Sequence, residues 1–364
     1  MMYLFYGIFL ILCLYKMKPK PPKGEKFMTD YMSVEKTMSM KGIFIIIVFF
    51  SHFNSYVKFT DPMDITYSGI CRNMGQAMVT LFLFYSGYGV MESIKKKGMG
   101  YVHKIPLTRI LGTYFRFDIA VLIFIIVQTI LGKTFPVQQY LLSLTGWDAV
   151  GNSNWYIFAV VAAYLITFIS FEFSHLVTKK ASAQTFNYLA AAFVTLGCLL
   201  YIFILAFFKL KDGYWFDTII IYACGVWYSL LKDKLEKIIN KNIAVYIVCF
   251  TGSAAATLYF LLNRGASFVH TELYMVFFTA FVVIMSMRVS FHNRILMWCG
   301  KNLFGLYIMQ RIPMIIFKEI GVADFNIYLY FVLCAVATVP LAWAFEKYTG
   351  KLWKIITSPR KKTA

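Results

Sequence analysis

The residues best suited to chemistry in this chain lie inside apolar stretches. The segment MSMKGIFIIIVFFSHFNSYVKF, residues 38–59, places Lys41 at the start of an apolar run and His52 eleven residues later. An ionisable side chain in hydrocarbon costs free energy and is usually functional. The neighbouring polar residues are Ser51, Asn54, Ser55 and Tyr56. Such a patch suits an imidazole that binds a hydroxyl-bearing substrate. A packing role, with the ring satisfied by a neighbouring polar group, fits the same pattern.

A second charge lies deep in an apolar stretch near the C-terminal part of the chain. The segment CGKNLFGLYIMQRIPMIIF contains Arg311 about ten residues beyond Lys301. A central arginine costs about 2.5–3.5 kcal/mol on insertion into a membrane, so it should face a water-filled cavity or an anion. A structural ion pair is the alternative. Pro313 is expected to kink the helix that carries this arginine.

Basic residues cluster next to two apolar stretches, where they suit binding of phosphates. The segment LFLFYSGYGVMESIKKKG contains Ser86 within a run of small residues and ends near Lys95. Such a run allows either close helix packing or exposure of the backbone to a ligand. Arg109 and Arg116 follow in HKIPLTRILGTYFRFDIA. Arg116 fits either a phosphate contact or an intramembrane pair with Asp118.

Aromatic and amide side chains meet at the start of another apolar stretch. The segment SLTGWDAVGNSNWYIF contains Trp147, Asp148, Asn152, Asn154 and Trp155. Sugar-binding sites commonly combine aromatic rings with amides and a carboxylate. The aromatic belt at a membrane interface has the same composition, so the pattern alone fits both.

The elements that carry these residues are transmembrane helices. Of the 364 residues, 60% are hydrophobic and 15% are charged, and the mean hydropathy is +0.65. Soluble domains are nearer 25% charged, and apolar runs of about twenty residues cross a bilayer as helices. The fold class is therefore all-α, a polytopic transmembrane bundle. Ten core spans are predicted, near residues 38–57, 74–92, 110–131, 153–173, 187–208, 214–231, 243–262, 269–287, 302–320 and 326–345.

The charge distribution predicts the topology of the chain. The net charge is +19, and 28 of the 36 Lys and Arg residues fall in alternate connections between the predicted spans. This asymmetry is the positive-inside rule, so the basic connections and the C-terminus should be cytoplasmic. The charge is thus a topology signal, and nucleic acid is not an expected partner.

Three regions follow from this pattern: an N-terminal apolar helix with a basic linker (1–32), the transmembrane domain (33–347) and a basic tail (348–364). The first fifteen residues are too short for an unambiguous span, so an eleventh span and an interfacial or tilted helix both fit. The seven cysteines show no CxxC spacing, so neither a metal site nor a disulfide framework is expected.

These pieces, in this order, resemble the acyltransferase-3 family of bacterial integral-membrane acyltransferases. Lys41 and His52 fit the family's Arg/Lys-x10-His signature. LFLFYSGYG, NSNWYIFAVVAAYL and GKNLFGLYIMQ resemble its later segments. Two positions depart from the pattern: the late histidine is Gln310, and the second arginine of Arg-x-x-Arg is Gly112. The match runs from about residue 33 to residue 347.

The resemblance implies transfer of an acyl group, usually acetyl, from cytoplasmic acyl-CoA to a hydroxyl of a cell-surface or lipid-linked glycan. It implies His52 as general base, with Lys41 and Arg311 contributing charge. The expected acyl-CoA ligands are Arg109, Arg116, Lys95 and Ser86; the expected acceptor ligands are Trp155, Asn154 and Tyr56. Acyl-CoA is a co-substrate, and no permanently bound cofactor is expected. The bilayer is a further partner, the bacterial plasma membrane the location, and a homo-oligomer is compatible with the sequence.

The competing function is a transporter or flippase, in which His52 and Arg311 would form an intramembrane relay. Transporter folds usually contain internal repeats, and the two halves of this chain show no convincing duplication. The sequence therefore favours the enzyme.

Overall fold

The computed structural model describes residues 2–19, 21, 24–178 and 182–358, and the side chains of residues 72 and 73 are outside this description. Within these ranges the chain is helical, and its one β-bridge joins Lys18 to Ser290. The first helices are α1 (Met2–Leu14), α2 (Val34–Phe53), α3 (Pro62–Lys97), α4 (Met99–Val102), a π-helix (Pro106–Leu111) and α5 (Gly112–Ile130). The middle of the chain forms α6 (Val137–Leu144), α7 (Trp155–Val177), α8 (Ala183–Phe207), a 3-10 turn (Gly213–Trp215) and α9 (Ile220–Ile239).

The remaining helices are α10 (Ile243–Leu262), α11 (Phe268–Ser286), α12 (Arg294–Lys301), α13 (Leu303–Met309), α14 (Arg311–Glu319), α15 (Val322–Phe325) and α16 (Ile327–Thr357). Every predicted core span overlaps at least one helix, and 302–320 forms two. Seven helical segments of the described chain are long and apolar enough to cross a membrane. The prediction of an all-α multi-pass membrane protein is confirmed.

The bundle has two chemically different ends. The Lys- and Arg-rich connections lie together at one end, named the basic end, where Tyr31 of the linker bonds to Tyr228 of α9. At the same end His103 Nε2 lies 3.1 Å from Glu172 Oε1 of α7. The other end is named the opposite end. Outward faces between the ends are apolar, as contact with lipid requires; examples are Leu196, Leu200, Val248 and Leu258.

Two helices in the centre of the bundle approach each other unusually closely. A Cβ at Gly87 of α3 would lie 2.1 Å from the carbonyl oxygen of Tyr222 in α9, and one at Gly225 would lie 2.2 Å from that of Phe84. Only glycine permits this backbone contact. Of the two roles that fit the Ser86–Gly89 run, close helix packing is therefore the one observed at Gly87.

Helix α3 is longer than the predicted span at 74–92. It begins where Asp61 caps the chain, accepting a hydrogen bond from Met63 N at 2.9 Å, and where Pro62 fills the first turn. It ends at Gly98, whose φ of 60° stops the helix. Its 36 residues span about 54 Å. A hydropathy window detects only the apolar centre of such a helix.

Candidate active site

His52 lies in the last turn of α2, not in its middle. The helix was expected to continue to residue 57, but it ends at Phe53 and is capped by Asn54. The Nδ1 atom of His52 is buried and makes no hydrogen bond within the described part of the chain. Its polar neighbours bind backbone instead: Asn54 Nδ2 donates to Ser68 O at 2.9 Å, and Ser55 Oγ to His52 O at 2.6 Å. The flanking patch thus does not orient the imidazole by direct hydrogen bonds.

Two tyrosines join His52 to the start of α7. The ring centroid of His52 lies 6.1 Å from that of Tyr307 in α13. The ring of Tyr307 in turn lies 5.3 Å from that of Tyr156, the second residue of α7. The hydroxyl of Tyr307 is buried and has no hydrogen-bond partner among the described residues. The imidazole of His52 therefore lies beside the ring of Tyr307, whose hydroxyl makes no hydrogen bond in the described chain.

Arg311 begins α14, directly after a break in the predicted span. Pro313 lacks the N–H that would bond to Met309 O, and its ring crowds that carbonyl, so the helix stops at Met309. Gln310 occupies the break, with Nε2 donating to Tyr307 O at 3.0 Å. The distortion expected from Pro313 thus falls at Gln310, which keeps helical φ and ψ of −59° and −26° while the helix is divided there.

The guanidinium of Arg311 points toward the histidine region. Its Nε donates to Tyr56 Oη at 3.0 Å, and its charge interacts with both His52 and Tyr307. Among the described residues no carboxylate lies within salt-bridge distance of Arg311. The structural ion pair that was the alternative for Arg311 is not observed. Tyr56, predicted to bind the acceptor, serves here as the partner of this arginine.

A second cationic region lies toward the basic end. Arg109 belongs to the π-helix, a local distortion that often occurs at functional sites. Its Nε donates to Tyr101 Oη at 3.0 Å, and its guanidinium carbon lies 5.9 Å from the ring centre of Tyr164. Lys41 interacts electrostatically with Arg109, and its Nζ lies 5.3 Å from the ring centre of Tyr85. Neither cation has an acidic partner in the described ranges.

Ser86 borders the same region. Its hydroxyl shares a hydrogen bond of 2.7 Å with Tyr164 Oη, and Tyr164 contacts Arg109. Three of the residues predicted from sequence, Lys41, Ser86 and Arg109, are thus brought together around Tyr85 and Tyr164. These two tyrosines were not predicted from the sequence. The chain contains 25 tyrosines, and the residue type alone does not indicate which of them line a site.

The other two predicted donor ligands are engaged by carboxylates. Arg116 forms an ion pair with Glu346 of α16 and lies over the ring of Phe304, 4.6 Å from its centre. Glu346 also accepts from Gly305 N at 2.8 Å, so the pair ties α5, α13 and α16 together. The alternative acidic partner considered for Arg116, Asp118, is not used.

Lys95 is likewise occupied. Its Nζ lies 2.7 Å from Glu92 Oε1 and donates to Ser229 O at 3.0 Å. The contacts of Lys95 and Arg116 are those of structural residues, and the structure does not bring either to Lys41.

The predicted acceptor residues fall in two places. Asn154 lines an open cleft of about 600 Å³ at the opposite end, together with Trp147, Tyr214 and Trp215. Its Nδ2 donates to Gly146 O at 2.9 Å and to Asp148 O at 2.8 Å, which fixes the shape of the loop. Trp155 packs edge-on against Tyr214, with ring centroids 6.2 Å apart. Tyr56, by contrast, lies beside Arg311.

Lys211 forms part of the floor of this cleft. Its Nζ lies 4.4 Å from the ring centre of Trp147 and 4.5 Å from that of Trp215. It also donates to Trp147 O at 2.6 Å. The first turn of α7 therefore separates the cleft from the histidine, with Trp155 on one side and Tyr156 on the other.

The long apolar helices enclose buried polar groups, several of them unpaired in the described chain, and so define a multi-pass membrane protein. A family model described as an acyltransferase domain matches residues 39–347, most of the chain. The chain belongs to the acyltransferase-3 family and is a membrane acyltransferase. No curated protein and no solved structure matches it. The family membership confirms the resemblance seen in the sequence and supports the enzyme over the transporter.

Proposed function

We propose that this acyltransferase moves an acyl group, with acetyl as the first candidate, from acyl-CoA to a hydroxyl of a cell-surface or lipid-linked glycan. The donor enters from the basic end, which we place in the cytoplasm of a bacterial cell, and the acceptor approaches from the opposite end. The observation that carries the proposal is the single face of α2 that bears Lys41 and His52. These residues lie about 16 Å apart along the helix axis.

The donor site in this proposal is the cationic region around Lys41 and Arg109. A pair of cations without carboxylate partners attracts a polyanion, and the phosphates of coenzyme A supply one. Arginine suits this role because its fork of donors matches phosphate oxygens. The pantetheine arm then extends along α2 and brings the thioester to His52. Acyl-CoA acts as a co-substrate, and no resident cofactor is required.

The chemical step uses His52 as general base. The imidazole accepts the proton of the acceptor hydroxyl while the hydroxyl oxygen attacks the thioester carbonyl carbon. The protonated ring then returns the proton to the departing thiolate. Arg311, which has no acidic partner in the described chain, stabilises the negative charge that develops between these steps.

The acceptor site in this proposal is the cleft that Asn154 and Trp147 line. Aromatic rings supply flat apolar surfaces for sugar faces, and the polar groups between them supply hydrogen bonds. The glycan approaches along the first turn of α7, whose Tyr156 contacts the tyrosine next to His52. Trp155 supports this surface through Tyr214.

The test is a His52→Ala variant in membranes, assayed for transfer of labelled acetyl from acetyl-CoA to surface glycan by mass spectrometry. We expect loss of at least about a hundredfold in rate, since general-base catalysis contributes at least that factor. His175→Ala is the matched control, because His175 is exposed near the end of α7 and makes no contact with the site. Full activity of the His52 variant at normal expression would refute the assignment.

A further inference from the structure

An unused hydroxyl faces the proposed reaction centre. Tyr307 is 2% exposed, and its Oη is buried without a hydrogen-bond partner among the described residues. Buried polar atoms in native proteins are normally paired, so each exception calls for an explanation. Two other fully buried phenols in the same bundle are paired: Tyr330 donates to Met314 O at 2.7 Å, and Tyr222 shares a bond of 2.8 Å with Thr167.

Two other polar atoms near the Tyr307 hydroxyl also lack hydrogen bonds of normal geometry in the described chain. Ser153 is 4% exposed and interacts with the phenol, but its Oγ makes no hydrogen bond of normal geometry in the described chain. His52 Nδ1 is in the same condition, and its ring lies 6.1 Å from that of Tyr307. Three buried polar groups thus converge on one region, and none of them makes a hydrogen bond of normal geometry within the described chain. Such an arrangement suits a reacting group that needs several hydrogen bonds at once.

The charge of Arg311 acts on Tyr307 as well as on His52. The guanidinium interacts electrostatically with the phenol. A nearby cation strengthens an O–H as a hydrogen-bond donor, because it stabilises negative charge on the other side of the bond. The side-chain amide of Gln310 is not free to donate a hydrogen bond to a reacting group. It is 1% exposed and its Nε2 is bound to the carbonyl of Tyr307.

We propose, on the basis of the function given above, that Tyr307 is a catalytic residue that donates a hydrogen bond from Oη to the thioester carbonyl oxygen. As the acceptor oxygen bonds to the carbonyl carbon, its proton passes to His52 and the carbonyl π electrons move onto oxygen. Tyr307 and Arg311 hold this oxyanion. When the carbonyl reforms, the carbon–sulfur bond breaks and the thiolate takes the proton from the imidazolium. Ser153 is a positioning residue that orients the phenol.

The proposal predicts a split between rate and binding. Tyr307→Phe removes one oxygen atom and should lower kcat about a hundredfold, the effect of losing one oxyanion donor. The KM for acetyl-CoA should stay within about twofold, since Lys41 and Arg109 remain. The unfolding temperature in detergent should be unchanged or higher, because an unpaired buried hydroxyl contributes no stability. Tyr274→Phe, in a tyrosine of α11 that is 1% exposed, is the matched control.

Several outcomes would overturn the proposal. An unchanged kcat in Tyr307→Phe, with His52→Ala inactive, would remove Tyr307 from the mechanism and leave the proposed function intact. A lowered unfolding temperature with unchanged kcat would assign the phenol a structural role. If Tyr307→Phe does not accumulate in membranes, Ser153→Ala is measured instead, and a kcat equal to that of the parent chain would count against the hydroxyl pair.

Discussion

Lys41 of α2 and Arg109 of the π-helix are close enough for their positive charges to repel each other. Between them lie Tyr85 and Tyr164, whose rings face one cation each, and Ser86, which is bonded to Tyr164. Repulsion between buried like charges is unfavourable unless an anion binds between them. This pair therefore gives the clearest test of which acyl donor the site takes.

Removing either cation should weaken binding of a phosphorylated donor. We expect Lys41→Met and Arg109→Gln each to raise the KM for acetyl-CoA about tenfold, the loss of one charge-assisted hydrogen bond. Acetyl-pantetheine, which lacks the nucleotide phosphates, should show no such change. Steady-state kinetics with both donors provides the measurement, and Lys96→Gln, at an exposed position of α3, is the control. Equal effects on the two donors would contradict phosphate binding here.

The pair of Arg116 and Glu346 should contribute to stability and not to donor binding. Their side chains are 25% and 19% exposed, so leaving either one unpaired should cost about 2 kcal/mol of unfolding free energy. Replacing both with methionine should cost less than the sum of the single changes. Denaturant unfolding in detergent measures these differences. A raised KM for acetyl-CoA in folded Arg116→Met would instead return Arg116 to the donor site.

Lys133 provides a contrast for that measurement. It pairs with Glu319 at 2.6 Å, but the two side chains are 44% and 42% exposed. Exposed pairs contribute about 0–1 kcal/mol. Lys133→Gln should therefore change the unfolding free energy much less than Arg116→Met does.

Two glycines of α3 should respond oppositely to the same substitution. In Gly87→Ala the new methyl would lie 2.1 Å from the backbone oxygen of Tyr222, so α3 and α9 must separate. Overpacking of this kind costs about 1–3 kcal/mol. In Gly89→Ala no atom lies within 4 Å of the methyl, and removing a mid-helix glycine should stabilise by about 0.5 kcal/mol. Similar unfolding temperatures for the two variants would argue against the close approach.

Asn293 should hold the N-terminal helix as well as cap α12. Its Oδ1 accepts from Leu296 N at 2.8 Å, and its Nδ2 donates to Leu12 O at 2.8 Å. Asn293→Ala should lose about 1 kcal/mol from the cap and a similar amount from the bond to α1. Cys13, buried on α1, should then react faster with a maleimide, as peptide mass mapping can show.

Asn242 is the matched control for this change. Its Oδ1 caps α10 by accepting from Val245 N at 2.9 Å, and among the described residues it makes no hydrogen bond to α1. Asn242→Ala should therefore lose the cap without changing the labelling of Cys13. Equal labelling rates in the two variants would show that Asn293 does not secure α1.

Hydropathy predicted most of the helices. Helix α10 begins and ends at the predicted residues, because Asn242 caps it and polar residues follow Leu262. Helix α2 ends four residues early, since Asn54 turns its side chain to the backbone of Ser68. The position of the distortion at Gln310 was not predicted, because a proline indicates a distortion but not the residue at which the helix is divided.

The composition of the site was less predictable than its elements. His52, Lys41 and Arg311 stand out because charges are rare in apolar segments. The choice of Glu346 over Asp118 as partner of Arg116 depends on the packing of helices 230 residues apart in sequence. Tyr307 lies in the segment GKNLFGLYIMQ that resembles the family pattern, but the sequence does not show that its hydroxyl is buried without a partner in the described chain.

In the proposed mechanism, the distance along α2 between Lys41 and His52 sets the length of donor that can react. A donor whose phosphates bind beside Lys41 would bring its acyl carbon to His52 only through a narrow, flexible arm about 16 Å long. Carriers with shorter arms fall short of the imidazole, whatever acyl group they carry. Reach, and not the shape of a pocket around the acyl chain, would then decide which thioesters react.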